Sequence, residues 1–131
     1  MNRWLVILVD LVFVLFFAAA GRESHESGSA LALVLVIAWP FVVALAAGHA
    51  LVALRRWSPA PVWPSGVTVL AVTYLLGMSL RFVQGRGLAP GFLVVSLIFL
   101  TVTLLGWRAS IAFVERRTAA QEASEKSGAR S

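Results

Sequence analysis

Four apolar runs, each long enough to cross a bilayer and separated by three short polar stretches, dominate this sequence: residues 4–20, 30–54, 62–82 and 90–107. About 20 residues at roughly 1.5 Å each span the hydrocarbon. Backbone groups in lipid need partners within their own segment, so spans of this kind are helices. The links "GRESHESGS", "RRWSPAP" and "VQGRGLA" are rich in turn formers, and such short connections make consecutive helices antiparallel neighbours. The expected fold is all-α: a polytopic membrane protein with four antiparallel transmembrane helices in a compact bundle. With 60% hydrophobic and 13% charged residues, the chain has too little polar side chain to cover a soluble domain.

Orientation follows from the basic residues. Arg3, Arg55, Arg56, Arg108, Arg116, Arg117, Lys126 and Arg130 fall on one side of this plan, and Arg22, Arg81 and Arg86 on the other. The positive-inside rule then predicts both termini in the cytoplasm. Trp4, Trp57, Trp63 and Trp107 fall at the same inner boundary, as an aromatic belt would. Arginine dominates the cations, and alanine and valine are abundant, which fits a GC-rich bacterial genome and a multi-pass protein of the plasma (inner) membrane. Ala18 and Ala20 offer a signal-peptide cleavage pattern, but Asp10 interrupts the apolar run and only Arg3 precedes it, so the first span is expected to be retained. Residues 1–108 form the transmembrane domain. Residues 109–131 read as a juxtamembrane helix extension followed by a disordered cytoplasmic tail.

Asp10 sits inside "WLVILVDLVFVLFF". An acid at such a depth costs about 2.5–3.5 kcal/mol and so faces protein or water. Counting about 1.5 Å per residue places Asp10 roughly 9 Å above Trp4 and His49 roughly 8 Å above Leu54. The two therefore share a level on adjacent helices, with Thr68, Thr101 and Thr103 at similar depth. The expectation is an intramembrane polar layer of Asp10, His49, Thr68, Thr101 and Thr103. It would serve as interhelical hydrogen bonding that fixes register, or as a proton relay or ion site.

A second polar collection is expected at the opposite boundary. Arg22, His25, Arg81, Gln84 and Arg86 would form an outer anion or lipid-headgroup cluster, with Pro90 opening the last helix beside it. Arginines there could equally snorkel to ordinary lipid phosphates. Within the second span, Trp39-Pro40 predicts a kink that frees the carbonyl of Val36. Tyr74 and Gly77 share the Arg81 face as packing positions, and Ala44-x-x-x-Gly48 predicts a close helix–helix seam.

The stretches "VDLVFVLFFAAAGRESHESG", "IAWPF", "WPSGVTVLAVTYLLGMSLRFVQGRG" and "LLGWR" resemble the DUF3054 family of small integral membrane proteins, found especially in actinobacteria. The resemblance covers almost everything from Asp10 to Arg108. It picks out Asp10, Gly21, Arg22, His25, Trp39, Pro40, Phe41, Gly77, Arg81, Gly85, Gly87, Trp107 and Arg108, and His49 is not among them. What it implies is a four-helix membrane protein of unassigned function.

No catalytic arrangement is present: there is no Ser–His–Asp set, no zinc-protease motif, no phosphate loop and no cysteine. No cofactor and no metal site is expected. Two functional readings follow. One is small-solute or proton-coupled transport through the Asp10 layer. The other is a non-catalytic lipid-binding or accessory subunit of a membrane complex. The partners in view are membrane lipids, an anionic lipid or small solute, and a second copy or another membrane protein. Nucleic acid is excluded, because the basic residues sit at the ends of apolar runs.

Overall fold

The computed structural model describes residues 2–20 and 30–130. Among them the chain forms α1 (Arg3–Ala20), α2 (Ala30–Leu54), α3 (Val67–Val83), α4 (Pro90–Leu100) and α5 (Gly106–Arg130). A wide five-residue turn, Val62–Gly66, leads into α3, and a π-helical turn, Thr101–Leu105, joins α4 to α5 without breaking the rod. Among the described residues four helices are long and apolar enough to cross a membrane, the last running from Pro90 to Ala129 as 40 residues. The protein is a multi-pass membrane protein of all-helical class.

Individual contacts fix the helix directions. Asp10 meets His49 while Phe17 meets Phe41 edge-on at 5.2 Å, so moving forward along α1 moves backward along α2. Gly48 against Val69 and Gly77 against Phe41 set α2 antiparallel to α3 in the same way. Asp10 to Arg108 and Phe17 to Phe92 do so for α1 and the α4–α5 rod. Each helix packs on its sequence neighbour and α4 returns to α1, closing a square. We call basal the end that carries Asn2, the α2–α3 link and α5, and apical the end that carries the α3–α4 link.

Lipid tails are as apolar as leucine, so close packing and polar contacts hold such a bundle together more than the hydrophobic effect does. The small residues of α2 serve this purpose. Ala44 and Gly48 are buried, and a Cβ on Gly48 would lie 3.2 Å from the Cα of Val69. Gly77 lets the Phe41 ring lie flat on the α3 backbone, since a Cβ there would come within 2.5 Å of Phe41 Cδ1. Phe17, Phe41, Phe92 and Phe99 then fill the apical half, with ring centroids 5.2–6.4 Å apart.

Pro40 is buried inside α2 and leaves the Val36 carbonyl without its helical donor, as the sequence predicts. The replacement comes from α3: Gln84 Nε2 donates to Val36 O at 3.4 Å. Trp39, beside the kink, lies on the outer surface of α2, 42% exposed.

Two features of the C-terminal part differ from expectation. Arg108 lies level with Asp10 rather than at the boundary. Matching the roughly 9 Å from Asp10 down to Trp4 requires six more residues of α5, so the fourth span reaches Phe113 and Val114, each 60% exposed. The expected disordered tail is helical through Arg130. Its alanines, glutamates and basic residues are good helix formers, and Glu122 stands one turn before Lys126, the favourable order for an ion pair.

The α2 C-terminus carries strain. Arg56 N–H donates to Ala53 O at 3.0 Å and Trp57 N–H to Val52 O at 3.1 Å, the pattern of a left-handed helix stop. Glycine usually fills that position, yet Arg56 occupies it at φ 58°, at a cost of about 1 kcal/mol.

Gly77→Ala is expected to destabilise the bundle by about 1–3 kcal/mol, because the added methyl must displace the Phe41 ring. Gly91→Ala, where a Cβ meets nothing within 4 Å, should leave the detergent melting temperature unchanged or slightly higher. Thermal unfolding of the two variants in one detergent checks the contrast.

Candidate functional site

Asp10 is fully buried in the basal half of the bundle and accepts four hydrogen bonds. Arg108 grips it with both ends of its fork, Nη1 to Oδ1 at 2.9 Å and Nη2 to Oδ2 at 2.7 Å. His49 Nε2 lies 2.7 Å from Oδ2, and Trp107 Nε1 donates to Oδ1 at 2.8 Å. A carboxylate only accepts, so the His49 ring carries its hydrogen on Nε2. Two oxygens offer about four lone-pair positions, and all four are taken. The node ties α1, α2 and α5 together at one depth.

Local sequence explains how Arg108 arrives there. Ser96, Leu100, Leu104 and Arg108 are all buried at intervals of four. Each such step overshoots a 3.6-residue turn by about 40°, which would carry an ordinary helix off the bundle face by Arg108. The wider turn at Thr101–Leu105 takes back that rotation and keeps the stripe inward. Thr103 braces the turn by donating to Phe99 O at 2.8 Å.

The basal loop supplies the rest of the cradle. Arg108 Nε donates to Pro59 O at 3.1 Å and Nη1 also to Leu104 O at 2.9 Å. Ser65 ties the loop to itself by donating to Ser58 O, and Arg3 Nη2 donates to Trp57 O at 3.2 Å. Gly66 is the close-approach position: a Cβ there would stand 2.8 Å from Arg108 Cδ. A cleft of about 300 Å³ borders Arg108 between residues 58–61 and the Ile111, Ala112 and Glu115 side of α5.

The predicted polar layer is therefore rearranged. Asp10 and His49 are brought together, but Thr68, Thr101 and Thr103 are not among the donors to Asp10. Thr103 turns back on its own helix, as threonines in helices do when a carbonyl one turn earlier is in reach. The places given to threonines belong to Trp107 and Arg108, which sequence reasoning had put at the boundary. The signal that would have found them was the joint appearance of Asp10, Trp107 and Arg108 in the family resemblance, together with the rule that a buried acid needs a buried cation. Within the bundle interior, His49 Nδ1 and Thr73 Oγ1 are buried and have no partner among the described residues.

At the apical end, Arg22 and His25 lie outside the described residues. Arg81 donates Nε–H to Gly87 O at 3.2 Å and stacks 3.9 Å above the Phe92 ring, capping the phenylalanine cluster. Gln84 serves Val36, and the Arg86 backbone N–H donates to Arg81 O at 3.3 Å. Tyr74 donates its hydroxyl to Leu93 O at 3.0 Å, pinning α3 to α4. Arg81, Gln84, Tyr74 and Gly77 thus each have a packing or hydrogen-bonding task within the bundle.

A family model described as a protein of unknown function, DUF3054, matches residues 7–111. That span contains the whole Asp10 node, while Arg3 and α5 beyond 111 lie outside it. No curated protein and no solved structure matches the chain.

Removing one partner from a buried pair strands the other charge, so Asp10→Asn and Arg108→Gln are each expected to cost about 3–5 kcal/mol. The double variant should cost clearly less than the sum of the two, because no charge is left behind. Equilibrium unfolding of the three variants in mixed micelles measures the coupling.

Proposed function

We propose, for a chain that belongs to the DUF3054 family of unknown function, that it is a non-catalytic accessory subunit of a membrane complex. Its four-helix anchor holds α5 at a fixed angle where a protein partner can dock. The observation that supports this most is the saturation of Asp10. Four donors leave no lone pair for a travelling proton, and a guanidinium does not release its own. The phenylalanine cluster fills the bundle between this node and the apical end. Transport through the Asp10 layer therefore receives less support from the geometry than a structural task does.

The node has the position such a task requires. It fastens α5 just before the rod emerges, and beyond Ala112 every described side chain of α5 is exposed. We place the basal end in the cytoplasm of a bacterial plasma membrane. With Arg108 removed from the count, Arg3, Arg55, Arg56, Arg116, Arg117, Lys126 and Arg130 still outnumber Arg81 and Arg86 among the described residues.

Two measurements test this. Proteoliposomes loaded with a pH-sensitive dye should hold a proton gradient as long as protein-free ones. In native gels of gently solubilised membranes, the full chain should run in a larger assembly, and deletion of residues 118–130 should release it without lowering its melting temperature. Proton flux above the empty-liposome rate, or an assembly unchanged by the deletion, overturns the proposal.

A further inference from the structure

Arg3, Arg55 and Arg56 lie at the basal end around the turn that closes α2, and two of them contact Trp57. Arg3 reaches across from α1 and donates Nη2–H to Trp57 O at 3.2 Å. Its Nη1 is buried and has no partner among the described residues. Arg55 lies with its guanidinium carbon 5.9 Å from the Trp57 ring centroid, and Arg56 precedes Trp57 directly. Among the described residues none of the three pairs with an acid; Asp10, the nearest acid in sequence to Arg3, is consumed by His49 and Arg108. Trp4 and Leu54 stand next in the chain to Arg3 and Arg55, and Trp63 follows on the same basal link; the three are 74%, 81% and 74% exposed.

Three cations without an acid partner at one end of the bundle repel one another, and a helix C-terminus explains only part of the arrangement. The partial negative charge at the end of α2 favours Arg55 and Arg56, but not the arrival of Arg3 from another helix. Nor does it explain the backbone at Arg56, whose left-handed φ of 58° glycine would adopt without strain. Strain kept at a position where the simplest residue would relieve it points to a use for the side chain.

We propose that Arg3, Arg55 and Arg56 form a binding site for the phosphate of an anionic phospholipid in the leaflet at the basal end, its acyl chains lying along Trp4, Leu54 and Trp63. Arginine forks suit phosphate oxygens, and the site combines a charged head with an apolar flank at the membrane boundary. This inference stands apart from the accessory reading, since it concerns residues that neither the Asp10 node nor the exposed length of α5 uses.

The test is competition between lipids. Protein is released for native mass spectrometry from nanodiscs of equimolar phosphatidylglycerol and phosphatidylcholine with identical acyl chains. The wild type is expected to retain phosphatidylglycerol preferentially. Arg56→Gly should lower the retained ratio about tenfold, the loss of roughly one charge-assisted contact, while raising the melting temperature. Arg3→Gln and Arg55→Gln should lower the ratio similarly. Arg117→Gln, which removes the same charge from α5 at the same end, should leave it unchanged, and millimolar inorganic phosphate should not displace the lipid. An Arg56→Gly protein that keeps the wild-type ratio, an equal loss in Arg117→Gln, or displacement by free phosphate overturns the proposal.

Discussion

The basal half of this bundle is arranged around one carboxylate that water does not reach. In a medium of low dielectric constant a lone charge is very costly, and attraction to a counter-charge offsets that cost only when geometry is good and remaining lone pairs are filled. Asp10 meets both conditions, with a two-pronged arginine on one side and an imidazole and an indole on the others. The requirement propagates outward. Arg108 must reach inward, so α4 and α5 need the π turn, Gly66 must lack a Cβ, and the basal loop must offer the Pro59 carbonyl. A single acidic residue in α1 thereby dictates backbone shape nearly a hundred positions later.

The apical half solves a different problem by different means. No ion pair between described side chains holds it; interlocked phenylalanines, the glycine at 77 and a set of side chains that service stray carbonyls do. The proline at 40 and Gln84 form one such pairing, in which a donor lost from α2 is replaced from α3. Arg81 closes the cluster with its guanidinium face against Phe92 while its edge holds the α3–α4 turn. One half of the molecule is specified by charge and the other by shape.

Much of this could be read from the sequence, and what could not has a clear cause. Hydropathy gave the spans, because lipid imposes length and helicity directly. Rise per residue placed Asp10 and His49 at one level, because α1 and α2 are straightforward antiparallel neighbours there. The same arithmetic failed on the last span, because it counted depth from a boundary at Trp107, whereas Arg108 lies level with Asp10; the π turn that keeps its stripe inward was announced by no proline or glycine pair. Arg108 also follows a tryptophan at the end of an apolar run, so it carries every mark of a boundary residue. The tail was misjudged because polarity suggests disorder, whereas here the rod that begins in the membrane supplies the costly helix nucleus and good helix formers extend it.

The continuity of that rod gives the π turn a mechanical meaning. From Gly106 to Arg130 the helix is 25 residues, or about 37 Å. A change of only about 10° in its direction at the turn would sweep the far tip through roughly 6 Å. The Asp10 clamp sits within the first few residues past the pivot, where small displacements are amplified most. Whatever loosens or tightens that clamp acts as a hand on the short arm of a lever.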